Sequence, residues 1–226
     1  MSIAHNLREV QTRIADAACE ASREADEIRL LAVSKTYPAD IVNEVVRAGQ
    51  VLLGENRVQE ALEKKALLAE EISWHLIGPL QRNKVRKVVG EFACLQGIDS
   101  LKLASAVSRV ATELRVTQQI LLQVKIGSEE TKSGFEAASL LSEIEALVAL
   151  PSLDIQGLMT IPPPVEKVDD ARPYFSAVRE LREQLTSVSG LPLPELSMGM
   201  SGDYQAAIAE GSTMVRVGTA IFGKRS

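Results

Sequence analysis

The chain has 226 residues, 46% of them hydrophobic and 24% charged, and a formal net charge of −5. This length and composition are ordinary for a globular protein with a substantial core. The negative net charge argues against broad nucleic-acid binding, which usually needs a basic face. No apolar run is long enough to span a bilayer, and residues 1–8 hold no apolar signal core, so we expect a cytoplasmic protein without a membrane partner.

Cys19 and Cys94 are the only cysteines in the sequence. Cys19 lies in a helical pattern and Cys94 in a short strand-like run, so we expect two reduced thiols. Their number and spacing give no metal signature, and only His5 and His75 could add imidazole ligands. We therefore expect no metal site.

Short apolar runs alternate with amphipathic stretches along the chain, which is typical of alternating strands and helices. A helix is expected first, because four apolar residues recur there at helical spacing: Ile3, Leu7, Val10 and Ile14. Eight strand-like runs follow, near residues 28–34, 51–54, 72–77, 93–97, 119–126, 153–159, 194–198 and 214–217. Helical stretches are expected between them, near residues 39–48, 56–70, 80–89, 101–115, 135–149, 168–188 and 203–210.

Eight strands alternating with helices indicate an α/β fold, and eight units favour a closed (β/α)8 TIM barrel with an extra N-terminal helix. An open doubly wound sheet is the alternative, but it often has a glycine-rich turn after its first strand, which is missing here. The proline cluster at residues 162–164 is too short to separate domains. One domain over residues 1–226 is therefore expected.

The notable polar residues lie at or near the carboxyl ends of the predicted strands, where the active sites of such barrels are built. In chain order they are Lys35 after strand one, Asn56 after strand two, His75 within strand three, Lys125 closing strand five, Met159 and Thr160 closing strand six, Ser197 and Ser201 after strand seven, Arg216 in strand eight, and Gly218 with Thr219 after it.

Lys35 is the most informative of these residues. It stands at the end of the apolar run 28–34 and is followed by Thr36, Tyr37 and Pro38. Lysine is rarely buried, so a lysine at the end of a buried strand suggests a functional role. The alternative is a lysine whose side chain merely extends to solvent. A desolvated lysine loses its proton more easily and can attack a carbonyl to form a Schiff base.

Residues 197–203 are rich in glycine and hydroxyl side chains and precede a predicted helix. Such a loop brings backbone amides and hydroxyls to an anion, and barrels of this kind often bind phosphate after strands seven and eight. An ordinary turn, with Ser201 or Asp203 capping the helix, is the alternative. Gly218 and Thr219 in the matching position favour phosphate. A lysine facing a phosphate site suggests a phosphorylated aldehyde, and pyridoxal phosphate is the obvious candidate.

Arg216 alternates with Val215 and Val217, so its side chain points away from both valines. A buried arginine needs a partner, and one interpretation is an ion pair with a strand carboxylate such as Glu55. The other is a hydrogen bond to the pyridine nitrogen of the cofactor, which would keep that nitrogen unprotonated and weaken the ring as an electron sink.

Two further residues have open roles. His75 could act as a general base, but a histidine that lines the barrel or its mouth is the simpler interpretation. Asn56 could donate to or accept from a ligand, or it could cap the next helix.

The chain resembles the YggS/PROSC family of pyridoxal phosphate homeostasis proteins. The resemblance is carried by segments that run through nearly the whole chain in order, at residues 33–36, 54–56, 74–81, 132–134, 157–161, 196–201 and 215–219. It implies an alanine-racemase-type barrel without the second, β-rich domain of that enzyme. It also implies pyridoxal 5'-phosphate as the cofactor.

The resemblance assigns roles to individual residues. Lys35 would carry the Schiff base, Arg216 would meet the ring nitrogen, and Asn56 and Met159 would line the pocket of the ring. The phosphate would be bound by Ser201, Gly218 and Thr219, with Met200 and Ser197 beside them. His75 and Lys125 are further pocket candidates. Lys125 departs from the family, in which many members place asparagine, and an extra cation there could alter affinity.

The function implied is intracellular handling of the cofactor, by buffering or delivery to apo-enzymes, without substantial turnover, in a protein expected to be a monomer. The alternatives are a single-domain amino-acid racemase and a Schiff-base aldolase that uses Lys35 without a cofactor. A racemase needs a second base, which in alanine racemase is a tyrosine of the second domain. The only tyrosines here are Tyr37, Tyr174 and Tyr204, and none has an evident claim to that role.

Overall fold

The computed structural model describes residues 2–68, 71–127 and 133–223. Eight parallel strands form a closed barrel in sequence order, and β8 pairs back onto β1. The strands are β1 (Arg29–Val33), β2 (Leu52–Glu55), β3 (Ser73–Leu76), β4 (Cys94–Ile98), β5 (Gln118–Gln123), β6 (Leu153–Met159), β7 (Glu195–Met200) and β8 (Met214–Val217). The predicted (β/α)8 barrel is therefore confirmed, and the open sheet is excluded.

Helices surround the barrel and precede it, as expected. They are α1 (Ile3–Glu20), α2 (Ala39–Arg47), α3 (Val58–Leu67), α4 (Leu101–Leu114), α5 (Ala137–Val148), α6 (Arg172–Ser189), α7 (Tyr204–Ala209) and α8 (Thr219–Phe222). Among the residues described, no helix combines the length and apolarity needed to cross a membrane. Cys19 is exposed, Cys94 is buried in β4, and both are free thiols.

The segment predicted as a helix near 80–89 is instead a 3-10 helix, Arg82–Lys87. Val85 and Val88 are both buried, and their spacing of three residues matches the three residues per turn of a 3-10 helix. The positive φ of Gly90, +79°, then reverses the chain. The short helix α8 was not predicted, because four residues are too few to show a periodicity.

Strand β5 ends at Gln123, so the expectation that Lys125 closes the strand is wrong. Beyond Gln123 the chain pairs with a later segment: the Phe135 N–H donates to the Gln123 carbonyl at 2.8 Å, and the Lys125 N–H donates to the Phe135 carbonyl at 3.0 Å. The apolar run continues past the strand end because the chain there also pairs with the segment around Phe135. Residues 69 and 70, at the end of one predicted helix, lie outside the described residues, as does Lys132.

Side chains alternate between the two faces of the strands. Ala32, Val215 and Val217 belong to the large core shared with the helices. Leu31 and Met214 lie on the opposite face, in a separate small cluster inside the barrel. Arg216 has the same parity as Met214 and therefore also points inward, as its alternation with the valines predicted.

The N-terminal helix α1 and the segment after it contact the helices on either side of β8. The side-chain amide of Asn6 donates to the Ile221 carbonyl at 3.0 Å, and Arg23 donates to the carbonyls of Ile208 and Ser212 at 3.0 and 2.7 Å. Asn6 thus ties α1 to α8, and Arg23, just beyond α1, ties the chain to the C-terminal end of α7.

Candidate functional site

A cavity of about 380 Å³ opens at the carboxyl ends of the strands. As expected for this fold, the residues in its wall end a strand or follow one, except Arg216, which lies one residue before the end of β8. The wall is formed by Val33, Lys35, Tyr37, Asn56, Ile77, Gly78, Pro79, Ile161, Met200, Ser201, Gly202, Arg216, Gly218 and Thr219. Seven of the predicted site residues are thus brought together: Lys35, Asn56, Met200, Ser201, Arg216, Gly218 and Thr219.

Lys35 lies two residues beyond β1 and is partly buried in the cavity wall. Within the described ranges its amine forms no hydrogen bond or ion pair. The next residue, Thr36, has a φ of +70°, in the left-handed region that a β-branched residue rarely adopts. Tyr37 then ties the turn to α8: its hydroxyl donates to the Gly223 carbonyl at 2.8 Å, and its ring stacks on Phe222 at 4.6 Å. The structure therefore presents a free amine on a constrained turn.

The loops after β7 and β8 lie side by side in the wall. Ser201, Gly202 and Thr219 are exposed, and a side chain added at Gly202 would meet nothing within 4 Å. A side chain added at Gly218 would lie 3.2 Å from the Val33 carbonyl oxygen, so glycine keeps this approach open. These hydroxyls and glycines form a rim that can accept an anion.

Asp203 occupies the position before α7, but its side chain forms no cap of the helix. Its carboxylate instead accepts from the Met200 N–H at 2.6 Å and closes the loop. The interpretation of this loop as a plain helix cap formed by Asp203 is therefore wrong.

Arg216 is buried, and its guanidinium donates to main-chain and hydroxyl oxygens. Nη1 donates to the carbonyl and the hydroxyl of Ser197 at 2.6 and 2.8 Å, and Nη2 donates to the Thr160 carbonyl at 2.7 Å. Burial lowers the pKa of Arg216 to about 10, and the charge of Asp203 opposes that shift. The arginine is still protonated at neutral pH. The predicted alternative of an ion pair with Glu55 is wrong, because that carboxylate is paired with Lys64.

Asn56 follows β2, and its side-chain oxygen is buried without a hydrogen-bond partner among the described residues. Helix α3 begins at Val58 with Arg57 before it, and no side chain caps it. The cap interpretation of Asn56 is therefore wrong. An unsatisfied buried oxygen in a cavity wall leaves an acceptor that a ligand or a water can use.

Three of the predicted site residues lie inside the barrel, beneath the cavity, and do not form the cavity wall: Met159, Ser197 and His75. Met159 is fully buried and packs with Cys94 and Leu121. A chain of hydrogen bonds connects the other two: the Ser197 hydroxyl donates to Gln96 Oε1 at 2.7 Å, and Gln96 Nε2 lies 2.8 Å from His75 Nδ1. The hydrogen bonds continue to Arg216, because the Ser197 hydroxyl accepts from its guanidinium.

The direction of that hydrogen-bond chain defines the state of His75. The amide nitrogen of Gln96 can only donate, so His75 Nδ1 accepts and the proton of the neutral ring lies on Nε2. Burial, with a smaller contribution from the charge of Arg29, lowers the pKa of His75 to about 4. A neutral, fixed imidazole agrees with a histidine that lines the barrel. Gln96 was not recognised from the sequence, although a glutamine inside the apolar run of β4 was a visible signal.

Lys125 lies outside the wall of the main cavity. Its side chain is 13% exposed and forms an ion pair with Glu136 at 3.0 Å. It lines a smaller neighbouring pocket of about 160 Å³, which shares Pro79 and Ile161 with the main cavity.

Comparison with known proteins finds relatives over the whole length of the chain. The family model for the alanine racemase N-terminal domain matches residues 1–226. The chain is 42% identical to the pyridoxal phosphate homeostasis protein of Aquifex aeolicus, covering 100% of this chain and 99% of that protein. It is 41% identical to the protein of the same name from Escherichia coli K12, covering 99% and 97% of the two chains.

Solved structures show the same fold. PipY of Synechococcus elongatus without PLP superposes with a TM-score of 0.89 at 38% identity, covering 98% of this chain and all of PipY. PipY with PLP bound gives 0.84 at 40% identity, covering 93% and 100%. Alanine racemase of Clostridium difficile 630 is only 18% identical, with a TM-score of 0.72 over 95% of this chain and 56% of that one, so it shows the fold alone.

Proposed function

The chain belongs to the family of pyridoxal phosphate homeostasis proteins, and from that premise we propose that it binds pyridoxal 5'-phosphate in the cavity and buffers or delivers it. One observation carries the proposal. The cavity places the free amine of Lys35 together with the hydroxyl- and glycine-lined rim after β7 and β8. An amine and an anion site in one cavity are what a phosphorylated aldehyde requires.

The residues present fit this cofactor. When bound, pyridoxal phosphate supplies an aldehyde that condenses with an amine, with loss of water. Lys35 would be that amine, and Ser201, Gly218 and Thr219 would hold the phosphate. The side-chain oxygen of Asn56, which has no partner among the residues that the structure describes, would accept a hydrogen bond from the bound molecule.

Arg216 would face the ring nitrogen and determine its protonation. Its pKa of about 10 leaves it charged at neutral pH, so it can only donate a hydrogen bond. A donor at that position keeps a proton off the ring nitrogen and weakens the ring as an electron sink. Met200 would lie beside the phosphate. Ser197, which accepts from Arg216, would act by orienting the guanidinium, and Met159 would support the floor of the site from below.

This arrangement favours a carrier over a racemase. Tyr37 lies in the cavity wall, but its hydroxyl donates to the Gly223 carbonyl and its ring stacks on Phe222. Tyr204 is buried in α7, where burial raises the pKa of its hydroxyl. Neither hydroxyl is placed as a second base. The proposal is therefore cofactor binding without substantial turnover.

Three further parts of the proposal concern the whole protein. The chain forms one domain over residues 1–226, which the extent of the matching family model supports. It works in the cytoplasm as a monomer. It passes the cofactor to apo-enzymes that depend on pyridoxal phosphate.

A visible spectrum of the protein loaded with pyridoxal phosphate tests the proposal. We expect an absorption band that borohydride removes, and a reduced peptide that maps to Lys35. Loaded protein should also activate an added apo-enzyme. If no cofactor is retained on dialysis, the binding proposal is wrong. If the label maps to Lys125, binding stands but the site is wrongly assigned.

A further inference from the structure

A buried cluster of charges lies next to the turn that carries Lys35. Lys64, on α3, donates to three oxygens: the Ser34 carbonyl at 2.8 Å, Glu55 Oε1 at 2.6 Å and Glu60 Oε1 at 2.8 Å. The Ser34 hydroxyl also donates to Glu55 Oε1, at 2.7 Å. The side chains of Lys64 and Glu55 are 6% and 0% exposed. The cluster is thus an enclosed unit that reaches from β2 and α3 to the end of β1.

The cluster holds the two peptide units on either side of Lys35. The Ser34 carbonyl belongs to the peptide unit that precedes Lys35, and the Thr36 N–H belongs to the one that follows it. Lys64 donates to the first, and Glu60 accepts from the second. Because a peptide unit is planar, fixing both units fixes the backbone angles of Lys35 and the direction in which its side chain leaves the chain.

The turn requires such support. Thr36 has a φ of +70°, and a β-branched residue in this region persists only when its surroundings hold it there. The Tyr37 N–H closes the turn on the Ser34 carbonyl at 3.1 Å. That carbonyl therefore accepts from both Tyr37 and Lys64. Without Glu60 the Thr36 N–H loses its partner, and nothing in the turn itself replaces it.

The cluster is poorly suited to stabilising the fold. Burial raises the pKa of Glu55 even though Lys64 and the Ser34 hydroxyl donate to it. Its second oxygen has no partner among the residues described. Burial also acts to raise the pKa of Glu60. The hydrogen bonds from Lys64 and the Thr36 N–H outweigh that effect, so the pKa of Glu60 is lowered. A buried ion pair with an unsatisfied oxygen adds little stability, so a positional role explains it better.

We propose that Glu60 and Lys64 are positioning residues that fix both peptide units beside Lys35 and so direct its amine into the cavity. This inference rests on the proposed function, because it concerns the approach of that amine to the aldehyde of a ligand. The residues do not touch the ligand. They determine how fast the amine captures it.

Glu60→Ala is the first test, and Glu63→Ala is its matched control. Both glutamates lie on α3, but Glu63 is exposed and accepts from Gln59, at 2.9 Å, away from the Lys35 turn. In Glu60→Ala we expect the rate of appearance of the visible band, followed by stopped flow with pyridoxal phosphate, to fall on the order of 10-fold or more, since a small misplacement of a reacting group can cost about 100-fold. Glu63→Ala should match the wild type.

Two measurements separate positioning from a general loss of structure. Pyridoxine 5'-phosphate has no aldehyde, so its dissociation constant reports only non-covalent binding and should not change in Glu60→Ala. Amide hydrogen exchange on the protein without cofactor should be faster at Thr36 and unchanged elsewhere in β1. Equal loss of capture rate and of pyridoxine 5'-phosphate affinity would indicate damage to the whole site and overturn the inference.

Lys64→Met, compared with Lys65→Met on the same helix, repeats the test from the other side of the turn. If Lys64→Met alone does not fold, the double variant Glu55→Gln with Lys64→Met removes both buried charges and takes its place. A wild-type capture rate in Glu60→Ala and in the Lys64 variant overturns the inference while leaving the proposed function intact. If the wild type binds neither ligand, the proposed function fails, and Thr36 exchange alone decides whether α3 holds the turn.

Discussion

The turn between β1 and α2 and the loop between β7 and α7 both reach the cavity, but they are held in different ways. Side chains of α3 hold the first, through the bonds that Lys64 and Glu60 make on either side of Lys35. Backbone geometry in β7 and one short-range bond hold the second, since the Met200 N–H donates to the Asp203 carboxylate at 2.6 Å. Gly199 has a φ of +92°, and a Cβ there would come within 2.6 Å of the Cβ of Ala207. Ser201 and Gly202 beyond it remain exposed.

We attribute the difference to the two kinds of binding in the proposed function. A covalent bond requires one amine to approach from one direction, and the side-chain cluster would supply that direction. An anion is held by several donors that converge on it from separate loops, and no single donor must be placed as strictly. The two regions can therefore be disabled independently.

Lys35→Ala should have the largest effect, because it removes the amine itself. We expect complete loss of the borohydride-trapped product and of the visible band, while pyridoxine 5'-phosphate still binds through the phosphate loops. Peptide mapping after reduction and calorimetric titration are the measurements. Lys125→Ala is the matched control and should keep the label. A label that persists in Lys35→Ala would place the covalent site elsewhere.

His75, in the barrel interior beneath the cavity, should make the stability of the protein depend on pH. The unfolded chain binds a proton at histidine below its ordinary pKa of 6.5, whereas folded His75 does so only near 4. Between those values the unfolded state holds more protons, so stability is full above pH 6.5 and falls as the pH approaches 4. The shift corresponds to about 3 kcal/mol.

His75→Asn should flatten that pH profile, since asparagine keeps an acceptor for Gln96 but does not titrate. His5→Asn is the matched control, because His5 is the other histidine of the chain and is exposed on α1. Urea unfolding at a series of pH values measures the effect. Equal slopes in wild type and His75→Asn would show that His75 is not the group that titrates.

The sequence predicted the two regions unequally. Strand and helix periodicity gave the barrel, and the barrel placed Lys35, Ser201 and Thr219 at one end before any contact was known. The Lys64 cluster was hidden, because charges on a helical stretch look like a solvated face. The four-residue spacing of Glu60 and Lys64 was visible, but the burial that joins them to Glu55 depends on how α3 packs against β2.

The end of β5 was misplaced for a physical reason. The end of β5 could not be located, since Val124 and Ile126 continue the apolar run although the chain has already turned to pair with Phe135. This displacement removes Lys125 from the cavity wall. Local pattern reports which residues are apolar, but it does not report which partner covers them.

Ser201→Ala and Thr219→Ala should weaken binding without disturbing the Lys35 turn. Each removes one donor to a charged phosphate, at a cost of about 1.5–3 kcal/mol in binding free energy. Equilibrium dialysis against pyridoxal phosphate is the measurement, and Ser105→Ala, exposed on α4, is the control. The capture rate at saturating ligand should not change. Unchanged affinity in both variants would reduce the two loops to ordinary turns.

Hydrogen exchange at the α-carbon of amino acids should show the smallest effect. Lys35, Arg216 and Tyr37 line the cavity, and the Tyr37 hydroxyl is already engaged by the Gly223 carbonyl. In the proposed complex Arg216 would donate to the ring nitrogen. A weakened electron sink with no second base should give exchange far slower than enzymatic turnover, which is on the order of 1 s⁻¹ or faster. Deuterium incorporation into alanine and other common amino acids, followed by NMR in heavy water, measures it. Exchange at enzymatic rates that disappears in Lys35→Ala would replace the carrier with a racemase, and the contrast between the two regions would then describe an active site.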